Sequence, residues 1–241
     1  MIKHLRITAL SVALFGTMLA MPAAEGSINK NVRIEAGETS DGGSSVNGNI
    51  KVGEAASVTG DLTTVNGGIS IADGAAVSNV ETVNGRVSIG NNVQLDSSTT
   101  VNGRNKLGEN VIVSSEVSTV NGKIDIGTGT RVGEDVSAVN GKITMSGADV
   151  SGNVVNVNGG MDILDASIVR GDVIVRKPKK MGFSWGKRSK PRIVIGRSVV
   201  IEGTLVLEQP VNLYVHESAR VNEIRGEDVD IQRFSGDRPG D

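Results

Sequence analysis

Val46-Asn47-Gly48, Val65-Asn66-Gly67, Val83-Asn84-Gly85, Val101-Asn102-Gly103, Val120-Asn121-Gly122, Val139-Asn140-Gly141 and Val157-Asn158-Gly159 are one triplet met seven times, at intervals of 18 or 19 residues. Self-similarity at so steady a period marks a solenoid, whose turns bury their apolar side only by stacking on one another. Outward from the triplet, an aliphatic residue recurs nearly every six positions: Val46, Val52, Val58, Val65, Ile71, Val77 and onward to Val175, with a lapse at Ser151. A second apolar residue often stands two places ahead of the first, as at Ile50, Ile69, Val87, Ile124 and Ile143. Spacing by two is strand geometry, with both side chains on one side of the chain. Short strands broken by turn residues every six positions predict an all-β, three-sided, single-stranded parallel β-helix of about 18–19 residues per coil. Hexads of the form aliphatic-x-x-x-small-x also suit a left-handed coil, while the preference of parallel crossovers leans toward a right-handed one. A sandwich or up-and-down barrel needs hairpins of varied length and an aromatic or Leu-rich core. The chain has no aromatic residue from Glu25 to Gly182.

Asn and Gly both tolerate left-handed backbone angles, so the triplet is expected at a tight corner. Stacked there, Asn47, Asn66, Asn84, Asn102, Asn121, Asn140 and Asn158 are expected to bond from coil to coil as an amide ladder. If the triplet's valine points inward, Thr64, Thr82, Thr100 and Thr119 join the asparagines in an outer Thr-x-Asn strip. Such a strip is the alternative functional surface, suited to a glycan or to ice.

The remaining chain divides around this array. Lys3, His4 and Arg6, the apolar run Ile7 to Leu19, and Ala23-Ala24 have the three parts of a cleavable export signal over 1–24. The apolar run is too short for a comfortable membrane span, so the mature chain is expected in the periplasm or outside the cell, with no transmembrane span. Residues 25–45 are expected to form an entry cap, 46–234 the solenoid, and 235–241 a frayed tail. An open solenoid end exposes strand edges, so self-association is a further expectation. The absence of cysteine removes disulfides and thiolate metal sites.

One segment breaks the pattern. Residues 176–192 hold Arg176, Lys177, Lys179, Lys180, Lys187, Arg188, Lys190 and Arg192, no acid, and the aromatics Phe183 and Trp185. Two prolines and two glycines there oppose a regular element, and aliphatic spacing resumes at Ile195, Ile201, Leu207 and Leu213. The segment therefore reads as a basic loop inserted in a coil. An anionic envelope surface or polymer is the expected contact, through Lys and Arg charge and interfacial Trp. Nucleic acid is not expected as a partner of an exported chain.

No catalytic constellation is legible, and no catalytic, cofactor-binding or metal-ligating residue is assigned. Hexad-type transferases use a histidine base, and here the mature chain carries His216 alone; that activity is a further alternative. The chain is expected not to be an enzyme and to need no cofactor.

The turns Val120-Asn121-Gly122-Lys123-Ile124-Asp125-Ile126-Gly127 and Ile195-Gly196-Arg197-Ser198-Val199-Val200-Ile201-Glu202-Gly203-Thr204-Leu205 resemble bactofilins, polymer-forming β-helices of bacteria. They are also similar to adhesin domains built from short Gly-rich β-repeats. The likeness covers roughly residues 46–175 and 193–221 and lies in repeat texture. It implies a right-handed, non-enzymatic structural rod of the cell envelope. Bactofilins usually lack an export signal, and this chain departs from them there.

Overall fold

The computed structural model describes residues 26–178, 190–226 and 229–239. The expected export signal lies outside these residues, as do Lys179, Lys180, Phe183, Trp185, Lys187 and Arg188 of the loop. The described chain is a parallel β-solenoid of short strands, each hydrogen-bonded to its counterparts in the coils below and above. Three ladders make three faces. Face A stacks eleven strands, beginning Val32–Ile34, Ile50–Val52 and Ile69–Ile71 and ending Ile231–Phe234. Face B consists mainly of two-residue strands such as Ser57–Val58 and Gln94–Leu95. Face C has longer ones, such as Leu62–Asn66 and Asn79–Asn84. Near the C-terminal end, faces B and C run together in the single strands Val200–Leu207 and Arg220–Gly226.

The core is a set of inward columns. Ile50, Ile69, Val87, Ile124, Ile143, Met161, Ile193 and Leu213 line one of them, each with no exposed surface. Every such side chain contributes roughly 1.5–3 kcal/mol through burial. It is covered because the next coil sets another inward residue over it, apolar along this column and polar only at Asn105. This is how the periodic sequence dictates the stack.

Three expectations change. Residues 26–45 are the first turn of the solenoid and not a separate cap: Val32–Ile34 pairs with Ile50–Val52, Thr39–Ser40 with Ser57–Val58, and Gly26–Ser27 with Ser44–Ser45. The triplet valines are half-buried on the outside, while the inward positions of face C are Leu62 and Thr64 and their equivalents. Strand alternation forces this, because Leu62 and Thr64 face in and Val65 must then face out. The lapse at Ser151 disappears in the same way, since Val150 occupies the inward place above Val132.

The left-handed corner is also elsewhere. Positive φ collects between faces A and B, at Gly37, Ala55, Gly74, Asn92, Asn110, Gly129 and Ser198. At the triplet, glycine answers to space. A Cβ on Gly103 would lie 1.7 Å from the carbonyl oxygen of Gly85, and one on Gly141 1.5 Å from that of Gly122. The glycine column lets successive corners touch backbone to backbone.

Beyond the last strand, the chain turns back along the outside: Asp237 pairs with Arg197 at 2.5 Å. Phe234, in the last strand of face A, stacks on the rung before it and stands edge-on to His216, with ring centroids 5.1 Å apart.

Candidate functional site

The corner between faces C and A carries the features that the sequence singled out. There the asparagines form a continuous amide ladder. Asn47 Nδ2 donates to Asn29 Oδ1 at 2.6 Å, Asn66 to Asn47 at 2.8 Å, and Asn84 to Asn66 at 3.0 Å. Asn102, Asn121, Asn140 and Asn158 continue it, each bond 2.8 or 2.9 Å. Asn29 is the member that sequence reasoning missed. It lies outside any Val-Asn-Gly triplet, but it stands 18 residues before Asn47, and that offset was the available signal. Every amide donates toward the N-terminal end of the rod. Their dipoles therefore add, with the negative end at Asn158.

The basic insertion leaves the rod at this end of the ladder. Face A keeps its register across it, Met161 pairing with Ile193, and so does face C, Val175 pairing with Leu207. Its roots are held firmly. Gln209 Nε2 donates to the carbonyls of Val157 at 2.7 Å and Arg176 at 2.8 Å. The amide of Lys177 donates to Glu208 Oε2 at 3.1 Å. The Arg192 guanidinium lies 5.1 Å from the Tyr214 ring centroid and 3.7 Å from Asp162, which also pairs with Lys142. A cleft of about 540 Å³ opens between the roots, lined by Lys142, Asn158, Gly160, Lys190, Arg192 and Gln209 among others. Of the predicted contact residues, Arg176, Lys177, Lys190 and Arg192 are described and lie at this one corner.

The Thr-x-Asn strip does not exist on the outside. Thr64, Thr82, Thr100 and Thr119 are buried and point into the rod. Thr64 and Thr82 donate to the carbonyls of Gly48 and Gly67, each at 2.9 Å, and Thr100 donates to Thr119 at 2.8 Å. A buried carbonyl without a partner is costly, and the triplet corner turns its glycine carbonyls inward. At Gly48 and Gly67 a hydroxyl just before the next triplet meets that need. Asn156 does the same in its coil, donating to Gly141 at 2.8 Å and Gly160 at 3.1 Å.

His216 is likewise engaged. Its Nδ1 accepts from the Ser218 amide at 3.1 Å, and its Nε2 lies 3.1 Å from the Ser235 carbonyl. The ring is buried and fastens the returning tail. Among the described residues, no group of three or more His, Asp or Glu side chains could hold a metal ion.

Fold and site together define a parallel β-solenoid repeat protein with an amide-ladder corner and a basic insertion. No family model, no curated protein and no solved structure matches the chain.

Proposed function

We propose that the chain is a non-catalytic, exported structural rod of the bacterial cell envelope, meeting an anionic surface through its basic loop 176–192. One observation carries this reading: both faces hold their register across the insertion, so the stack does not require the loop. A segment with eight cations, no acid and two aromatics, dispensable to the fold, is explained by what it touches. Its described roots support this, since Arg176 and Arg192 are held in place while Lys177 and Lys190 project into solvent. Without the loop, the mature chain carries 15 basic and 27 acidic residues, and the loop adds eight cations to this net negative rod. Each cation near such a surface contributes about 1 kcal/mol.

The test replaces residues 177–191 with Asn-Gly, which restores the corner that the other coils use. The variant is expected to keep the thermal unfolding of the parent and to lose co-sedimentation with anionic vesicles at low salt. Unchanged co-sedimentation would remove the loop from this role. Recovery of the full-length chain from the cytoplasmic fraction would remove the export.

A further inference from the structure

The loop is not the only concentration of positive charge. In four consecutive coils the residue after the triplet is a cation: Asn84-Gly85-Arg86, Asn102-Gly103-Arg104, Asn121-Gly122-Lys123 and Asn140-Gly141-Lys142. Face A register stacks these positions, since each precedes one of the paired residues Val87, Asn105, Ile124 and Ile143. At about 4.8 Å per coil the column runs about 14 Å along the rod, and Arg192 extends it two coils further on.

The column faces solvent on the face A side. Arg104 reaches Asp125 of the next coil at 2.9 Å, and Lys142 reaches Asp162 in the same way. Arg86 and Lys123 are exposed and enter no ion pair among the described residues. In these four coils the face A segments from Asn84, Asn102, Asn121 and Asn140 hold five cations, Lys106 included, against the single carboxylate of Asp125. Carboxylates collect at the other corners, with Glu54, Asp73 and Glu109 between faces A and B, and Asp61, Glu116 and Asp135 between B and C. A chain with a net negative charge thus has one positive side. Two residues before each cation, an exposed ladder asparagine spends one amide hydrogen on its neighbour and keeps the other for solvent.

We propose that this column binds a linear acidic polysaccharide lying lengthwise along the rod, Arg86 and Lys123 offering their charge to carboxylates and the ladder asparagines an amide hydrogen to hydroxyls. The chemistry selects among polyanions. Duplex nucleic acid places phosphates every 3.4 Å along each strand, out of step with rungs of 4.7–4.9 Å. A lipid surface would press against Asp125 and Asp162, and these rungs present no aromatic residue to the interface. A uronate chain carries one carboxylate and several hydroxyls per ring, and ring and rung are similar in length. The proposal rests on the repeats and not on the loop.

The experiment measures binding of the full chain to alginate, with dextran and anionic vesicles as comparisons, for three proteins: the parent, Arg86→Ser with Lys123→Ser, and the loop replacement. Both serines fall at exposed positions, and thermal unfolding checks that the fold is kept. Loss of two exposed cations is expected to weaken alginate binding about two- to fivefold each, so at least fourfold together. The parent is expected to ignore dextran, and the loop replacement to keep its alginate affinity within twofold. Failure of the parent to bind alginate would overturn the proposal, as would equal affinity in the double variant. Alginate binding lost only with the loop would also overturn it while leaving the loop's own role standing. Vesicle binding that falls with the double variant while alginate is ignored would assign the column to lipid instead.

Discussion

Asn105 and Ser98 satisfy one another inside the apolar core. Ser98 Oγ donates to Asn105 Oδ1 at 2.8 Å, and Asn105 Nδ2 donates back to the Ser98 carbonyl at 3.0 Å, with neither residue exposed. In the coils on either side the same places hold Val80 and Val117, and Val87 and Ile124. The pair is a polar exchange made within one coil. Ser98→Ala or Asn105→Ala alone strands a buried partner and is expected to cost about 1–3 kcal/mol. Ser98→Val with Asn105→Val restores the pattern of the neighbouring rungs, and its loss is expected to be smaller than that of either single change. Urea unfolding of the four proteins gives the coupling. Losses that simply add would show the two sites to be independent.

Two corner positions should both disfavour a methyl group, for different reasons. Gly103→Ala drives a Cβ to 1.7 Å from a backbone oxygen, which only movement of the stacked coils can relieve. The expected loss is several kcal/mol, at the upper end for a single substitution. Ala55 holds φ at +54° in the left-handed column that Gly37 and Gly74 also occupy. Ala55→Gly is therefore expected to raise stability by up to about 1 kcal/mol, since glycine takes that conformation freely. Paired thermal melts decide it; a destabilising Ala55→Gly would show that the strain is offset elsewhere.

The contrast shows what the sequence disclosed and what it hid. Repeat period, parallel stacking and the amide ladder were legible because each depends on spacing alone, and spacing survives substitution. The phase of face C was not. Val65 is aliphatic and Thr64 is polar, so hydrophobicity pointed to the wrong one of two adjacent residues. What reverses them is the carbonyl of Gly48, which needs a donor inside the rod, and that need becomes visible only when the corner is closed. Gly and Asn at the triplet likewise invite a left-handed reading, whereas the close approach of stacked glycines involves residues one coil apart. The basic loop was plain from composition. The column of Arg86, Arg104, Lys123 and Lys142 escaped notice because its members are spread over four repeats.

The ladder makes a graded prediction. Asn102 takes part in two amide bonds, donating to Asn84 and accepting from Asn121, each at 2.9 Å. Asn158, at the end, has one ladder bond, donated to Asn140 at 2.8 Å. Exposed hydrogen bonds are worth about 0.5–1.5 kcal/mol each. Asn102→Ala is thus expected to cost roughly twice what Asn158→Ala does. Asn102→Asp should cost more still, because it sets a carboxylate oxygen against Asn84 Oδ1 in place of the donor. Chemical denaturation at neutral pH ranks the three, and equal losses at both asparagines would mean that the ladder adds nothing beyond its corner geometry.

Two glutamates on the face C side supply a pH test. Burial holds the Glu81 carboxyl above its ordinary value of 4.5, with the charge of Asp61 adding to it. Burial does the same for Glu116, with Glu134 and Asp135 adding to it. In each case the folded state holds its proton more tightly than the unfolded one. Stability from these groups is therefore full below the unfolded pKa and declines as pH rises through the folded one. Glu81→Gln and Glu116→Gln remove a partly buried negative charge, so at neutral pH each variant is expected to be more stable than the parent. The gain should be only a few tenths of a kcal/mol, because water still reaches both groups and screens them. It should shrink as pH falls through the raised pKa and vanish below 4.5, where the parent carboxyl is neutral as well. Melting curves of parent and variants between pH 4 and pH 8 test the sign; a gain that grew toward acid pH would mean that the carboxylates are stabilised by the fold and not strained by it.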